Sequence, residues 1–378
     1  MSSDPGGAGP VIKQQEPLKP YTTFKIGGPA WYFVCVATPE DFRAALALAA
    51  QQRLPLFVLG GGSNILVSDR GYEGVVVHPV RRGLRLTLED PASATLEACA
   101  AETWDDVAGF AVKRHWWGIE NLSHIPGQAG AALVQNIGAY GQQVSDVLES
   151  VEVIDARSGA VKVLAASECG FGYRRSVFNT RVRGKLMILR LTLRLVKQAR
   201  PNLDYPDVKA YFAARGGREP SLAEMRRAII TIRDRKFPFP RKERGGNAGS
   251  FFKNLSLAEE EFEGLRANLE RNFSSRELAR LEEIRERSAP SERIKIPAAF
   301  LIEICALKGQ SRGRAQVNEA QPLVLLNQGG ATAEDVMALA KHVRRTVYAR
   351  TGMALSMEPE LVGFTEQEIA DFHDLGER

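Results

Sequence analysis

Two glycine-rich segments limit what this chain can fold into more than any other feature. The first, Gly-Gly-Gly-Ser-Asn at residues 60–64, directly follows a short apolar run at residues 56–59. Three consecutive glycines carry no Cβ and permit positive φ, so backbone N–H groups can converge on a phosphate. The segment matches neither G-x-G-x-x-G nor a Walker A loop, which argues against a Rossmann dinucleotide site and a nucleotide kinase. Taken alone, it is equally consistent with a tight turn after a strand.

The second segment, residues 125–141, combines glycines and a proline with apolar residues such as Leu133, Val134 and Ile137. A flexible linker would be more polar. We interpret it as backbone that packs closely against a flat group, with Gln135 and Asn136 available to hydrogen-bond a heteroaromatic edge. An internal core loop is the alternative. Together with the first segment, it favours an extended, phosphate-bearing cofactor.

Two further motifs carry chemically useful side chains. Arg174 follows Tyr173 in residues 171–176, and an arginine can hold a carboxylate through two parallel hydrogen bonds, although a surface arginine is the default reading. Ser250 stands between Gly249 and two phenylalanines. The pattern is not G-x-S-x-G and has no histidine nearby in sequence, which argues against a serine hydrolase. A serine that donates a proton needs a strongly basic acceptor, such as an enolate.

Composition excludes several classes of protein. The chain has 378 residues, is 44% hydrophobic and 25% charged, and carries a net charge of +5 without a basic run interleaved with aromatics. This predicts a soluble protein of two or three domains and argues against nucleic-acid binding. Four scattered cysteines and five histidines show no metal-ligand spacing, so no metal is expected. No signal peptide and no membrane-spanning run are present, which predicts a cytoplasmic protein without membrane insertion.

Local patterns predict an α+β chain. Capping residues Thr38 and Thr332 each precede a helical apolar stripe, and residues 257–287 are predicted to be helical. The strands at residues 31–36 and 56–59 flank the first helix and should be parallel. In residues 185–195 the alternation predicts that Met187, Leu189, Leu191, Leu193 and Leu195 share one face. The composition of the sequence changes near residue 230, where we place a domain boundary.

In this order, residues 21–28, 60–64, 125–141, 172–174, 249–254 and 358–360 resemble motifs of the UDP-N-acetylenolpyruvoylglucosamine reductase family. The resemblance covers about residues 17–363, and several motifs in the right order are far more specific than one. It implies a vanillyl-alcohol-oxidase/PCMH-type FAD-binding fold in two subdomains, followed by an α+β substrate-binding domain. It also implies non-covalent FAD, NADPH as hydride-donating co-substrate, and a UDP-sugar substrate bound by a monomer.

The resemblance also implies roles for individual residues. Ser250 matches the proton donor, while Arg174 and Glu360 match the pair that holds and polarises the substrate carboxylate. Substrate contacts are implied for Tyr173, Tyr205, Lys236, Asn254 and Gln321. The residues expected to bind FAD are Gly60, Gly61, Gly62, Ser63, Asn64, Pro126, Gly127, Gly130, Ala131, Gln135, Asn136, Gly138 and Ala139.

The implied domains are a disordered tail (1–15), two FAD-binding subdomains (16–79 and 80–230), a substrate-binding domain (231–353) and a C-terminal strand and tail that return to the active site (354–378). Two other functions stay open. Another FAD-dependent oxidoreductase of this fold could act on a small alcohol or hydroxy acid, but it would not need Ser250. A non-enzymatic nucleotide-sugar binder should have lost Ser250, Arg174 or Glu360, and all three are present.

Overall fold

The computed structural model describes residues 9–216, 218–236, 245–288 and 292–375. In chain order its helices are α1 (Pro39–Gln52), α2 (Trp104–Lys113), α3 (Ala129–Val134), α4 (Pro206–Ala213), α5 (Leu222–Lys236), α6 (Glu259–Asn272), α7 (Ser275–Ser288), α8 (Ala298–Ile304), α9 (Ala333–Thr351) and α10 (Glu366–His373). Its strands are β1 (Val11–Pro17), β2 (Pro29–Val36), β3 (Leu56–Val58), β4 (Ile65–Val67), β5 (Tyr72–Pro79), β6 (Leu84–Glu89), β7 (Ser93–Cys99), β8 (Gly138–Ala139), β9 (Gln142–Gln143), β10 (Leu148–Asp155), β11 (Val161–Ala165), β12 (Leu186–Val196), β13 (Leu255–Leu257), β14 (Ile294–Ile296), β15 (Ser311–Arg312), β16 (Ala315–Val317), β17 (Leu325–Asn327) and β18 (Glu360–Val362).

The chain packs into two compact units that are each built from separated segments. The first takes Met1–Glu16, Ala30–Gly62 and Tyr72–Phe239, and the second takes Pro17–Pro29, Ser63–Gly71 and Pro240–Arg378. The short stretches at residues 17–29 and 63–71 therefore pack with the C-terminal part of the chain. The predicted domains, which give binding roles to continuous stretches, remain a prediction.

The first sheet of the first unit has the order β1-β2-β5-β3. Both β2 and β3 run parallel to β5, which confirms the predicted parallel orientation, although β5 lies between them. Helix α1 starts where predicted, because the Thr38 side chain accepts from Asp41 N–H and the Asp41 carboxylate accepts in return from Thr38 N–H. Its buried Phe42 and Ala45 pack against this sheet.

The second sheet of the first unit is antiparallel, with the order β11-β10-β12-β7-β6. The prediction that one face of β12 carries all its alternating apolar residues is wrong. A register shift opposite β10 changes the alternation, because Glu152 pairs with Arg190 whereas Val153 pairs with Ile188. Met187 and Leu189 therefore pack with α1, while Ile188 joins the residues farther along β12 in the core beneath this sheet.

The prediction of a disordered tail at residues 1–15 is wrong for its last part. Residues 11–15 belong to β1, where they gain backbone pairing beside β2 at the edge of the sheet. Residues 1–8 lie outside the described residues. The glycines and prolines that suggested disorder are concentrated before Val11, so the composition of the tail masked the strand-forming residues that follow.

Helix α9 is the centre of the second unit. Its predicted apolar face is fully buried, and its Thr332 cap bonds Asp335 N–H as expected. The helical prediction over residues 257–287 is confirmed by α6 and α7, which a short break separates, whereas Leu257 ends β13. Phe273 is extended at φ −136°, and the Glu277 carboxylate accepts from Ser274 N–H at the next turn.

Exposed ion pairs and buried apolar residues both hold the α6–α7 hairpin. Arg266 contacts Glu263, Glu270 and Glu282 at 2.9 to 3.4 Å, but the four side chains are all more than 40% exposed. Such exposed pairs add little to the free energy of unfolding. Burial of a leucine such as Leu281 contributes about 1.5–3 kcal/mol, so packing dominates here.

Candidate active site

The two glycine-rich segments meet inside the first unit. A Cβ built on Gly61 would lie 2.6 Å from Gly127 Cα, and one on Gly60 would lie 2.9 Å from Ala131 Cβ. These distances are shorter than any ordinary Cβ contact, so only glycine allows the two backbones to come this close. We call the paired segments, residues 60–62 and 124–131, the cradle.

The cradle and the segment that follows it have an unusual backbone. Positive φ angles occur at His124 (62°), Gly127 (113°), Asn136 (45°), Tyr140 (49°) and Gly141 (82°), and three of these residues are not glycine. For the three non-glycine residues such conformations cost of order 1 kcal/mol each, and they persist where the surroundings enforce them. Clusters of this kind mark sites whose backbone must follow a ligand.

A cavity adjoins the cradle. Its apolar wall includes Pro79 and Ala100, and these residues also touch the cradle: Gln128 Nε2 donates to Pro79 O at 3.3 Å and Gly130 N–H donates to Ala100 O at 2.9 Å. Polar side chains at its rim come from Thr38, Arg81, Glu152 and Arg190. Sequence reasoning missed these residues, because they come from separate strands and carry no shared motif.

The residues present fit an extended cofactor. Beside the cradle, Asn121 Oδ1 and Ser123 Oγ are buried and have no hydrogen-bond partner among the described residues. Buried polar atoms are rarely left unsatisfied, so a ligand or water is expected there. Close-packed backbone, an adjoining cavity with arginines at its rim, and orphaned polar atoms together suit a flat ring joined to phosphates.

The loop that carries Arg174 is attached to residues 134–138, which follow the cradle in the chain. Arg174 has φ 52°, and its guanidinium donates to Gly138 O at 3.3 Å. Asn136 Nδ2 donates to Gly172 O, and Ser176 Oγ donates to Val134 O at 2.5 Å. The structure therefore brings Arg174 to the predicted cofactor residues 135–139. Tyr173 is 67% exposed beside it.

A group of aromatic and cationic side chains extends from this loop within the first unit. Tyr140 and Tyr205 meet edge to face, with their ring centroids 5.1 Å apart. Burial raises the pKa of Tyr140 to about 12 and also raises the pKa of Tyr205. Lys236 Nζ lies 2.6 Å from Asp207 Oδ2, and Asp207 is two residues after Tyr205.

Arg233 is a cation in this group that sequence reasoning missed. Burial lowers its pKa, while the neighbouring Tyr140 and Asp105 oppose that shift and Arg174 adds to it. The four residues are therefore close enough to interact electrostatically. A charged run at the end of a helix is usually solvated, so the sequence offered no signal that Arg233 would be different.

The serine loop assembles its own group of residues within the second unit. Ser250 pairs with Val324, and Phe251 N–H donates to Leu323 O at 2.7 Å, which joins the loop to the turn formed by Gln321. Glu358 N–H donates to Phe251 O at 2.9 Å. Ser250 and Gln321 are thus brought together with the segment that leads to Glu360.

Asn64 is bonded on both sides to the same C-terminal segment. Its side-chain amide donates to Glu358 O at 3.3 Å, and its backbone carbonyl accepts from Glu360 N–H at 3.0 Å. The strand β18, which begins at Glu360, pairs in parallel with β4 and continues this contact. Asn64, Ser250, Gln321 and Glu360 therefore form one assembly.

Polar side chains hold the serine loop from behind. Thr23 Oγ1 donates to Asn247 O at 2.7 Å, and Asn327 Nδ2 donates to Phe24 O at 3.0 Å. The resembling motif at residues 21–28 therefore acts as support for the loop. Asn254 Oδ1 accepts from Ala298 N–H at 3.1 Å, at the start of α8, so its oxygen already serves a structural contact.

The predicted site residues are divided between the two units. Gly60–Gly62, residues 126–139, Tyr173, Arg174, Tyr205 and Lys236 belong to the first, and Ser63, Asn64, Ser250, Asn254, Gln321 and Glu360 belong to the second. Among the described residues, no group of three or more histidine, cysteine or acidic side chains could hold a metal ion. None of the described helices is long and apolar enough to cross a bilayer.

In comparisons with known proteins, two family models match separate parts of the chain. Residues 30–164 match the family model of an FAD-binding domain, and residues 240–362 match that of the UDP-N-acetylenolpyruvoylglucosamine reductase C-terminal domain. The first match shows that the chain carries an FAD-binding domain in its N-terminal half. It also confirms the predicted FAD-binding fold class.

Whole-chain relatives extend the match. The UDP-N-acetylenolpyruvoylglucosamine reductase of Chromobacterium violaceum is 39% identical over 90% of this chain and 96% of its own length, and that of Pseudomonas aeruginosa is 38% identical over 91% and 97%. The crystal structure of the reductase from Thermus caldophilus shares the fold, with a TM-score of 0.61 at 24% identity over 93% of this chain and 98% of that one. The chain belongs to the UDP-N-acetylenolpyruvoylglucosamine reductase family.

Proposed function

We propose that this protein uses NADPH and bound FAD to reduce UDP-N-acetylglucosamine enolpyruvate to UDP-N-acetylmuramate, a step in peptidoglycan precursor synthesis. One observation carries the proposal beyond family membership: the loop that carries Ser250 accepts, at Phe251 O, from the N–H of Glu358, two residues before Glu360. A hydroxyl held beside a carboxylate-bearing strand suits proton delivery to a carbanion.

NADPH, FAD and Ser250 together account for the hydride and the proton that the substrate gains. When bound, FAD supplies two-electron transfer from NADPH to the enolpyruvyl double bond, so NADPH becomes NADP⁺. The methylene carbon of the substrate gains hydride, and negative charge develops on the neighbouring carbon and its carboxylate. Ser250 Oγ–H protonates that carbon, after which the serine regains its proton from solvent. Phe251 and Phe252, both 1% exposed, help to exclude water around the donor.

Cationic and aromatic residues would hold the substrate. Arg174 is proposed to bind the carboxylate, where its charge stabilises the enolate-like state, and Glu360 is proposed to orient and polarise the same group. Tyr173, Tyr205 and Lys236 are proposed to bind the nucleotide part. The exposed faces of these side chains support this role: Tyr205 is 43% exposed even though its ring packs on Tyr140.

The remaining contacts are proposals of the same kind. Gln321 lies on the turn that contacts the serine loop, which favours a substrate contact, and the side-chain amide nitrogen of Asn254 is proposed to reach the UDP part. For the cofactor, we propose that the cradle holds the diphosphate and that the adjoining cavity takes the adenosine end. Apolar walls for a base and arginines at the rim support this placement.

We further propose that the protein works as a cytoplasmic monomer. All four cysteines are unpaired thiols, which suits a reducing compartment. Sedimentation equilibrium of the FAD-loaded protein should give the mass of one chain, about 42 kDa with cofactor added to 41.5 kDa of protein. A dimer mass would overturn this part without affecting the reaction.

Ser250→Ala tests the reaction directly. NADPH should bleach the flavin absorbance of the variant at nearly the normal rate, while reoxidation by UDP-N-acetylglucosamine enolpyruvate should slow by about 10²- to 10⁴-fold. Stopped-flow absorbance under anaerobic conditions separates the two half-reactions. Ser311→Ala, which removes an exposed hydroxyl from the same unit, should leave both rates unchanged.

Two outcomes would contradict the proposal. An equal fall in both half-reactions of Ser250→Ala would point to a damaged cofactor site and remove the proton-donor role. Wild-type flavin that NADPH bleaches, but that this substrate never restores, would favour another FAD-dependent oxidoreductase of the same fold, one that acts on a small alcohol or hydroxy acid.

A further inference from the structure

Helices α2 and α5 hold one residue of the cradle through three separate contacts. His124 N–H donates to Asp105 Oδ1 at 2.5 Å, and Arg233 Nε donates to His124 O at 2.9 Å. The imidazole Nε2 lies 2.9 Å from Asp234 Oδ1. Because an ionised carboxylate only accepts, Nε2 is the donor in that contact. The backbone and the ring of His124 are thus fixed together.

Asp105, at the start of α2, is itself held by α5. Arg226 donates to both of its oxygens, at 2.7 and 2.9 Å. Burial alone would raise the pKa of Asp105, but these bonds and the His124 N–H hold that pKa below its usual value. Arg226 and Arg233 are seven residues apart, which places them on one side of α5, two turns from each other.

His124 needs this support because its backbone is left-handed, with φ 62°. A histidine in this region is strained, and without restraint it would return to negative φ. Such a rotation would redirect residues 125–127. Gly127 is the residue whose Cα stands against Gly61, so the rotation would change the cradle at its narrowest point.

We propose that Asp234 is a positioning residue for FAD, acting through the ring of His124. This inference rests on the FAD-dependent function proposed above. Asp234 holds the imidazole, the imidazole holds the left-handed turn, and the turn fixes residues 125–127 against Gly61. Because Lys236 lies two residues farther along α5, the same helix also carries a proposed substrate contact. Cofactor position and substrate binding are therefore set by one rigid element.

Asp234→Ala is the test. The carboxylate is 42% exposed, so the variant should fold, but FAD should dissociate from the holoenzyme about tenfold more readily. The flavin absorption bands and the flavin reduction potential should both shift, which a change in stability alone would not cause. Asp234→Asn keeps an acceptor oxygen for the ring and should retain FAD nearly as well as wild type. Glu149→Ala removes a matched exposed carboxylate, 38% exposed and paired with Arg194, and should behave as wild type.

A double-mutant cycle tests whether Asp234 acts through the ring of His124. Glycine tolerates φ 62°, so His124→Gly removes the ring without backbone strain. In that background, Asp234→Ala should have no further effect on FAD dissociation, since Asp234 acts only through the ring. Unchanged FAD retention and spectrum in Asp234→Ala, or an equal effect with and without His124, would overturn the proposal. Wild-type turnover, measured in parallel, reports separately on the proposed reaction.

Discussion

At the residue scale, Gly61 shows how one missing methyl group permits a binding site. We predict that Gly61→Ala loses flavin, because the new Cβ would lie 2.6 Å from Gly127 Cα and 2.9 Å from Gln128 N. Both neighbours are backbone atoms, which cannot rotate away as a side chain would. Overpacking of this kind costs about 1–3 kcal/mol, enough for about a tenfold fall in FAD affinity. Flavin absorbance per mole of purified protein measures how much FAD the variant retains.

Gly264→Ala is the matched control. It lies in α6, where nothing stands within 4 Å of an added Cβ, and alanine is the better helix former. The variant should keep its flavin and gain about 0.5–1 kcal/mol in the free energy of unfolding. Normal flavin content in Gly61→Ala would show that the close approach of the two segments is not required for the cofactor.

The sequence predicted single residues well where their chemistry is local. Ser250 could be recognised because its glycine and phenylalanine neighbours are adjacent in the chain. Thr23 and Asn327 could not, since their side chains bond to residues 224 and 303 positions away. Arg233 was missed for a related reason: only the folded arrangement of Tyr140 and Arg174 around it distinguishes it from a surface arginine.

At the element scale, helix starts were predictable and strand faces were not. The caps of α1 and α9 were recognised because Thr38 and Thr332 bond within their own first turns. The faces of β12 depend instead on the register shift opposite β10, which no periodicity in β12 records. The same limit applies to β5, which inserts between β2 and β3 although it follows both in the chain.

Helix α10 gives a prediction for pH. Glu368 accepts two hydrogen bonds from Arg70, at 3.0 and 2.6 Å, and a third from Thr365 N–H, and these lower its pKa from 4.5 to about 2. The ionised form is therefore favoured by folding. Its contribution to stability is complete above about pH 4.5 and is lost as the pH falls toward about 2.

Glu368→Gln should consequently lower the free energy of unfolding at neutral pH, with a deficit that shrinks between pH 4.5 and 2. Urea titrations across this range measure it. High salt should reduce the deficit, because Arg70 and Glu368 are 57% and 38% exposed. Arg70→Lys keeps the charge but not the pair of parallel hydrogen bonds. Its free energy of unfolding should lie between those of wild type and Glu368→Gln. Parallel stability curves for wild type and Glu368→Gln would show that this contact does not set the acid sensitivity.

At the scale of the whole molecule, cofactor and stability are linked. Because FAD binds the folded protein and not the unfolded chain, free FAD at 100 times its dissociation constant should add about 2.7 kcal/mol to the free energy of unfolding. Thermal melts at increasing FAD concentration measure this rise. Ser250→Ala should show the same rise as wild type, since Ser250 belongs to the unit that lacks the cradle. A melting temperature that does not depend on FAD would contradict the placement of the cofactor in a folded site.

The segmented second unit has a consequence for how the protein is made. Phe24 and Ile26 are buried in a core whose other members come mostly from beyond residue 248, and Asn327 bonds to Phe24 O across 303 residues. At roughly 5–20 residues per second, a ribosome needs on the order of tens of seconds to synthesise that interval. During this time the apolar residues Phe24 and Ile26 have emerged without their partners. The nascent chain therefore offers an early binding site for chaperones and proteases near its beginning, and translation must approach its end before that site can close.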